Sequence, residues 1–264
     1  IMNFILIDGS YYIFYRYYAL RVWWNKARGL DEPEEPSESE RFIDKFKTTF
    51  ISNIKEIDKK LGLASSVKLV GKDCPQQNIW RNNHIIDYKG NRPNINNVAP
   101  FFKIAYKEKL FEKAGIQTIL EYPQLEADDC IALTTKFINK KYPNINIYII
   151  ANDMDYLQLV KQNIKIFNLK FKDITESKRC FKNPEKDLFC KIVAGDKSDN
   201  IPAIFPKCGI KTAEKYFNDQ ELFKKKLSDN SEAQKLFEKN RNIIAFDCIP
   251  QSLVDGFNET VLHL

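Results

Sequence analysis

The chain has 264 residues, of which 44% are hydrophobic, 13% aromatic and 29% charged. This profile excludes disorder of the whole chain and permits a sizeable core in one large or two coupled units. Lysine and arginine (41) outnumber aspartate and glutamate (35) for a net charge of +6, which alone selects no partner. Six cysteines stand without a C-x-x-C pair, and His84 and His263 are the only histidines. A zinc site, a disulfide framework and a histidine-assisted nucleophile are therefore disfavoured, and reduced thiols are expected. No apolar run approaches the ~18–20 residues of a membrane span. No basic-then-apolar leader opens the sequence, so an intracellular location without membrane contact is expected.

In chain order, residues 3–7 (NFILI) form a short apolar run into Asp8-Gly9-Ser10, the pattern of a buried strand and a turn. Tyr11 to Trp24 continues as an aromatic-rich amphipathic helix. Residues 25–41 carry six acids, two serines and three breaker residues, which predicts a solvated loop. From Glu40 to Leu61 apolar residues recur at helical spacing, and Gly62 stops the helix. A strand over Ser66–Val70 reaches Gly71-Lys72-Asp73. A polar, basic stretch follows, from Trp80-Arg81 to Arg92-Pro93. Val98 to Ala114 predicts a helix, Gln117 to Leu120 a strand, and Glu126 to Asn139 a helix. Asn146 to Ala151 is a strand ending at Asn152-Asp153-Met154-Asp155. Strand and helix alternate through residues 1–170, the signature of an α/β fold with a parallel sheet and helices on both faces. After residue 183 no convincing strand remains, so residues 184–264 read as a smaller helical region.

Three apolar strands end alike: FILI at Asp8, VKLV at Asp73, and IYIIA at Asp153 and Asp155. A fourth, TIL, leads to Glu126, Asp128 and Asp129. Ligands bind outside the carboxyl ends of strands in an open parallel sheet, and acids gathered there repel unless a charge compensates them. Magnesium or manganese suits such all-oxygen ligation. Asp153 and Asp155 share a side if the strand stays extended there; Asp196 and Asp199 share one side of a helical turn. Glu126 is expected just before its helix, with Asp128 and Asp129 in the first turn. Taken singly, each acid reads equally well as an N-cap or a solvated turn residue.

Ile7-Asp8-Gly9, Glu126-Ala-Asp-Asp129, Asn152-Asp-Met-Asp-Tyr-Leu-Gln-Leu159 and Gly195-Asp-Lys-Ser-Asp-Asn-Ile-Pro202 resemble the signature segments of the structure-specific 5′ nucleases. That family comprises flap endonucleases, phage 5′-3′ exonucleases and the 5′ nuclease domain of DNA polymerase I. The resemblance runs in order from residue 3 to 217, and its last segment is the most specific. It implies a PIN-like metal-nuclease domain over residues 2–183, with an arch or gateway around 80–115. A helical region over 184–264 would follow, with a helix–turn–helix DNA-binding segment at 195–217. By position, the family's metal-site acids fall on Asp8, Asp73, Glu126, Asp128, Asp129, Asp153, Asp155, Asp196 and Asp199. Two magnesium ions, replaceable by manganese, are implied; Lys89, Asp8, Asp128 and Asp153 stand closest to the chemistry. Setting the nine acids aside leaves the rest of the chain at +15, a basic body suited to a phosphodiester polymer.

Tyr88-Lys89-Gly90-Asn91-Arg92 is similar to the family's YK-x-x-R, in which the lysine reaches the scissile phosphate. Arg16, Arg81, Tyr88 and Arg92 are then expected DNA contacts. Tyr88 or a tyrosine of the Tyr11–Tyr18 helix would stack on a displaced base, although those tyrosines read equally well as core. Residues 201–213 resemble the hairpin that grips duplex phosphates through backbone N–H groups, with Lys207, Gly209, Lys211 and Thr212 as contacts. Lys207 stands where the first glycine of that pattern belongs, with one residue inserted, on a turn where the family places a potassium ion. Gln251-x-x-Val254-x-x-Phe257 faintly resembles a sliding-clamp motif; a clamp or a polymerase is the implied protein partner, and a monomer is the implied state. The expected activity is metal-dependent hydrolysis of DNA near 5′ ends, flaps or branch junctions during replication or repair. Its nucleophile would be a water whose pKa the cations lower. A PIN-type ribonuclease and a non-cleaving DNA-binding scaffold are the alternatives.

Overall fold

The computed structural model describes residues 2–92 and 95–263. Pro93 and Asn94, within the expected arch, lie outside the described residues. Strands β1 (Asn3–Asp8), β2 (Val67–Gly71), β3 (Thr118–Leu120), β4 (Asn146–Ile150) and β5 (Ile164–Phe167) form one parallel sheet in the order β3-β2-β1-β4-β5. β1 is central, with Phe4 opposite Val67 on one side and Ile147 on the other. Side chains alternate along a strand, so Ile5 and Ile7 enter one core and Leu6 the other. β4 divides likewise, with Ile150 on the first face and Ile147 and Ile149 on the second. Burial on both faces is why these strands read as unbroken apolar runs. β5 escapes the sequence pattern because it spans four residues and exposes Lys165.

Five helices contribute to the first face: α1 (Gly9–Ala27), α2 (Glu40–Lys55), α3 (Ile57–Lys60), α4 (Ala99–Lys107) and α5 (Leu110–Lys113). The helix expected over 40–61 is thus two, and so is that over 98–114, where Lys109 adopts a left-handed conformation (φ 56°) between α4 and α5. Part of the acidic loop is ordered: Pro36 and Ser39 are buried, and the Ser39 side chain caps α2 by accepting from the Phe42 amide at 3.2 Å. An aromatic cluster locks α4 in place. Phe101 is fully buried, with ring centroids 5.0 Å from Tyr17, 5.3 Å from Phe42 and 4.8 Å from Phe46.

The second face is covered by α6 (Ala127–Lys141) and by the end of the chain. Between them run α7 (Pro184–Ala194), α8 (Ile210–Asn218), α9 (Gln220–Ser228) and α10 (Ser231–Ile244) before α11 (Gln251–Thr260). Phe246, Ile249 and Phe257 return to the core beneath the sheet, so the last segment does not stay with the helical region. Phe257 is fully buried and faces Tyr122 at 6.4 Å between ring centroids. A ring held in the core cannot serve as a clamp anchor, which removes the sliding-clamp expectation at Gln251–Phe257. No helix among the described residues is long and apolar enough to cross a membrane, and the six cysteines are free.

Truncating Phe101 would leave a cavity among aromatic rings that cannot easily close. Phe101→Ala should cost about 3–5 kcal/mol, read by denaturant unfolding; a loss below about 1 kcal/mol, the scale of exposed sites, would contradict this packing.

Candidate metal centre and nucleic-acid surface

The chain runs from β1 through β2 to β3 on one side and then crosses to β4 and β5 on the other. The crevice at the carboxyl ends of β1 and β4 is therefore the topological switch point, where open sheets bind ligands. Asp8 ends β1 and caps α1: one oxygen accepts from the Tyr11 amide at 2.9 Å, the other from the Tyr156 hydroxyl at 3.1 Å. Asp73, beyond β2, accepts from the Ala127 amide at 2.8 Å, and the Ser10 hydroxyl donates to its second oxygen. Glu126 caps α6, with Asp128 and Asp129 in its first turn, the placement expected from spacing. Asp153 does not continue an extended strand. It caps a 3-10 turn over Met154–Leu159 and accepts from the Asp155 amide at 2.9 Å. Asp196 caps a second 3-10 turn, accepting from the Ser198 amide at 2.8 Å. Gly195 permits that approach: its φ is +70°, and a side chain there would meet the Ile201 carbonyl at 2.5 Å.

The nine acids divide by their counter-charges. Arg81 takes Asp129 through two bonds of 2.7 Å and reaches Glu126 at 2.9 Å. Lys89 pairs with the other Glu126 oxygen, and the Tyr88 hydroxyl donates to Glu126 at 3.2 Å. Lys191 bridges Asp155 and Asp196, the latter at 2.9 Å, and Arg92 holds Asp199 at 2.7 Å. Asp8, Asp73, Asp128 and Asp153 have no ion pair among the described residues.

Protonation follows this division. Burial, then the charges of Asp73 and Asp153, push Asp8 up to about 7 against its bonds from Tyr11 and Tyr156. Burial, with Glu126 and Asp129, pushes Asp128 well above the usual carboxylate range. Burial carries Asp155 up to about 6 despite Lys191, whereas burial of Asp196 is outweighed by Lys191 and Ser198, which hold it at about 2. A cation would relieve the raised Asp8, Asp128 and Asp155. Separately, oxygen atoms of Glu126, Asp128 and Asp129 lie within 4.8 Å of one another. An all-oxygen donor set of this kind fits magnesium or manganese.

Several expected DNA contacts lie elsewhere. Arg81 is 3% exposed and also bonds the Ile243 carbonyl at 2.8 Å; its guanidinium is spent on internal acids and cannot reach a surface strand. Tyr88 is buried with its hydroxyl on Glu126, so it offers no face to a base. Tyr12 and Tyr17 are core, while Tyr18 is exposed. Arg16 stacks over Tyr15 at 4.8 Å, with its Nε buried and unpartnered. The Arg92 side chain is half exposed. Lys207, Gly209 and Lys211 are exposed and Thr212 is half-buried around the start of α8. Residues 195–209 connect α7 to α8 through a loop that holds the 3-10 turn at Lys197–Asp199. Lys207 supplies the left-handed turn (φ 56°) in place of glycine. Lys191, Tyr156 and Ser10 belong to the site but were absent from the sequence expectations. Lys191 was the most findable, as a lone cation between Cys190 and Ile192 on an otherwise apolar run of α7.

Two outcomes follow from this charge division. Arg81→Ala leaves buried Asp129 without a cation and Glu126 with Lys89 alone, and should cost about 3–5 kcal/mol of stability, measured by unfolding. A loss of DNA affinity with unchanged stability would instead restore its surface role. The folded chain also binds more protons than the unfolded chain between about pH 4 and 7, because Asp8 and Asp155 are raised. Its stability should therefore fall as pH rises through that window; the depressed Asp196 acts only below about pH 4. In chelator, Tm should drop between pH 5 and pH 8, and magnesium should reverse the drop. A flat profile would contradict the uncompensated carboxylates.

Residues 3–187 match the family model described as the 5′-3′ exonuclease, N-terminal resolvase-like domain. A 5′-3′ exonuclease of Buchnera aphidicola from Acyrthosiphon pisum is 31% identical over 217 residues, covering 79% of this chain and 68% of that protein. Its counterpart in Buchnera from Baizongia pistaciae is 32% identical over 225 residues, covering 80% and 65%. Ribonuclease H of phage T4 is 27% identical over 226 residues, covering 77% and 71%. The chain thus spans about two thirds of the length of these relatives. Among solved structures, the phage T5 5′-exonuclease with bound zinc superposes with a TM-score of 0.68 at 18% identity, covering 99% of this chain and 98% of that one. A T5 flap endonuclease complex with DNA and metal ions gives 0.67 at 18% identity, with the same coverage. The chain belongs to the 5′-3′ exonuclease family.

Proposed function

We propose that the chain is a divalent-metal-dependent 5′ nuclease that hydrolyses phosphodiester bonds of DNA near 5′ ends, flaps or branch junctions. The observation that carries this reading is the gathering of Asp8, Asp73, Asp128 and Asp153 at the switch point with no ion pair among the described residues. These four would hold one magnesium or manganese ion. Asp155, Asp196 and Asp199 would hold a second, in the space that Lys191 now shares with Asp155 and Asp196. Bound cations would lower the pKa of water and neutralise charge on the phosphate.

The chain's own residues supply the rest. Tyr156 and the Tyr11 amide fix the two Asp8 oxygens, and the Ala127 amide and Ser10 fix Asp73. Lys89, kept charged by Glu126, Asp128 and Asp199 against its burial, stands at the rim, where a phosphate can replace Glu126 as its partner. A donor of this kind matters most as charge develops on the phosphate. Lys207, Lys211 and the backbone N–H groups from Gly209, where α8 begins without a side-chain cap, suit duplex phosphates. Such contacts carry no sequence information. On this reading residues 2–183 supply most of the nuclease centre, which Lys191, Asp196 and Asp199 of the helical region complete, and the start of α8 supplies the duplex grip.

Incubation of labelled flap DNA, duplex DNA, RNA and RNA–DNA hybrid with and without magnesium tests the reading. Cleavage near 5′ ends or junctions of DNA, abolished by chelator, is expected. RNA as the preferred substrate would favour a ribonuclease, and binding without cleavage a scaffold. Replacing Asp153 and Asp155 together with Asn should abolish cleavage and preserve DNA binding; turnover like the wild type would sink the metal assignment. In single-turnover cleavage, Lys89→Ala should lose ~100–1,000-fold in rate with far less effect on affinity measured in calcium. A rate within about threefold of wild type, far short of that loss, would make Lys89 a structural partner of Glu126 only.

A further inference from the structure

The end of α4 carries a polar group that the carboxylate network leaves unused. Tyr106 lies in the last turn of α4, its ring packed on Phe111 (5.4 Å between centroids) and beneath the Lys72 ammonium (4.9 Å to the centroid). Its hydroxyl is buried and has no hydrogen-bond partner among the described residues. Nor does it end in an apolar core. It lies against Gly9, where the first carbon of a side chain would stand 2.7 Å from it. Gly9 sits between Asp8, which caps α1, and Ser10, which donates to Asp73. Burial, then the charges of Asp73 and Asp8, push the Tyr106 phenol well above its ordinary value. At neutral pH it is a protonated donor beside two carboxylates that no lysine or arginine balances.

A buried hydroxyl without a partner is destabilising, and phenylalanine would fill the same ring space without that cost. The ring alone therefore does not account for a tyrosine here. Magnesium dehydrates reluctantly and usually keeps several waters, so an ion at Asp8 and Asp73 would bring acceptors to this spot. Groups that hydrogen-bond to metal ligands orient them and tune affinity. We propose that Tyr106 is a positioning residue of the metal centre, its hydroxyl donating to the oxygen ligands of the cation held by Asp8 and Asp73. This inference rests on the metal-dependent reading of the site. It adds a link that reading lacks, because α4 then senses whether the ion is bound.

The test uses the full chain and two readouts that do not depend on catalysis: Tm in chelator, and manganese affinity by titration calorimetry. Tyr106→Phe should leave Tm in chelator unchanged or higher while weakening manganese binding about 10-fold. Phe111→Leu, which disturbs the ring's packing and keeps the hydroxyl, should lower Tm and leave the affinity within about twofold, well inside the tenfold effect expected of a ligand partner. Equal manganese affinity in Tyr106→Phe and wild type would overturn the proposal. So would a Tm loss in chelator as large as that of Phe111→Leu, since the hydroxyl would then have a partner within the protein. If wild type itself binds no manganese, the metal reading fails along with it. Binding in wild type that is unaltered in the variant defeats the Tyr106 proposal alone.

Discussion

Repulsion among carboxylates at the end of a buried parallel sheet governs this molecule. Nine acids from segments spread over nearly two hundred residues converge at the switch point, and buried like charges at such spacing resist ionisation. The chain meets the problem in two ways. Five acids receive an internal cation: Arg81, Lys89, Lys191 or Arg92. Four do not, and one of them, Asp8, is pushed to about 7. The protein thus surrounds an unpaired centre with five acids that share four cations. That gives a divalent cation a defined place and leaves the surrounding acids shielded.

Backbone geometry aims these acids. Asp8, Glu126, Asp153 and Asp196 are each the N-cap of a helix or 3-10 turn. Capping commits a carboxylate oxygen to the backbone, which fixes the side chain's rotamer, and a carboxylate keeps further lone pairs for other partners. The start of α6 shows the result: Asp129 accepts from the Glu126 amide at 3.2 Å and Asp128 from the Asp129 amide at 2.7 Å, while Asp128 has no ion pair among the described residues. Reading these residues as caps or as ligands is therefore a false choice. The cap supplies the rigidity that a metal site needs.

This explains what was legible in the sequence. Strand runs that stop at acids are local signals, and they located Asp8, Asp73, Asp153 and the start of α6. Ion pairs are not local. Arg81 meets Glu126 across 45 residues and Ile243 across 162, and no periodicity marks such a partner. A basic residue in a polar stretch looks like surface, so Arg81 read as a DNA contact when it is the buried counter-charge of Glu126 and Asp129, and Tyr88 beside it is a buried hydrogen-bond donor to Glu126. The condition set for Asp153 and Asp155 to share a side does not hold, because the strand ends at Ile150 and the chain turns at Asp153. The break of the 98–114 helix hangs on Lys109, a residue type that carries no signal for a left-handed turn.

Lys89 sits on Glu126 and Lys191 on Asp155 and Asp196, each lysine mostly buried and each held charged by acids against the cost of burial. Such cations cannot simply leave for solvent, because their removal would strand buried carboxylates. A divalent ion at those acids relieves them, and a backbone phosphate offers the lysines a new anion close by. On the proposed reading, ion and DNA therefore favour each other's arrival without any large motion of the sheet. Apart from the nine acids and the four cations paired with them, the chain carries +11, which draws a polyanion in at long range, while the paired acids keep the centre from repelling it at short range.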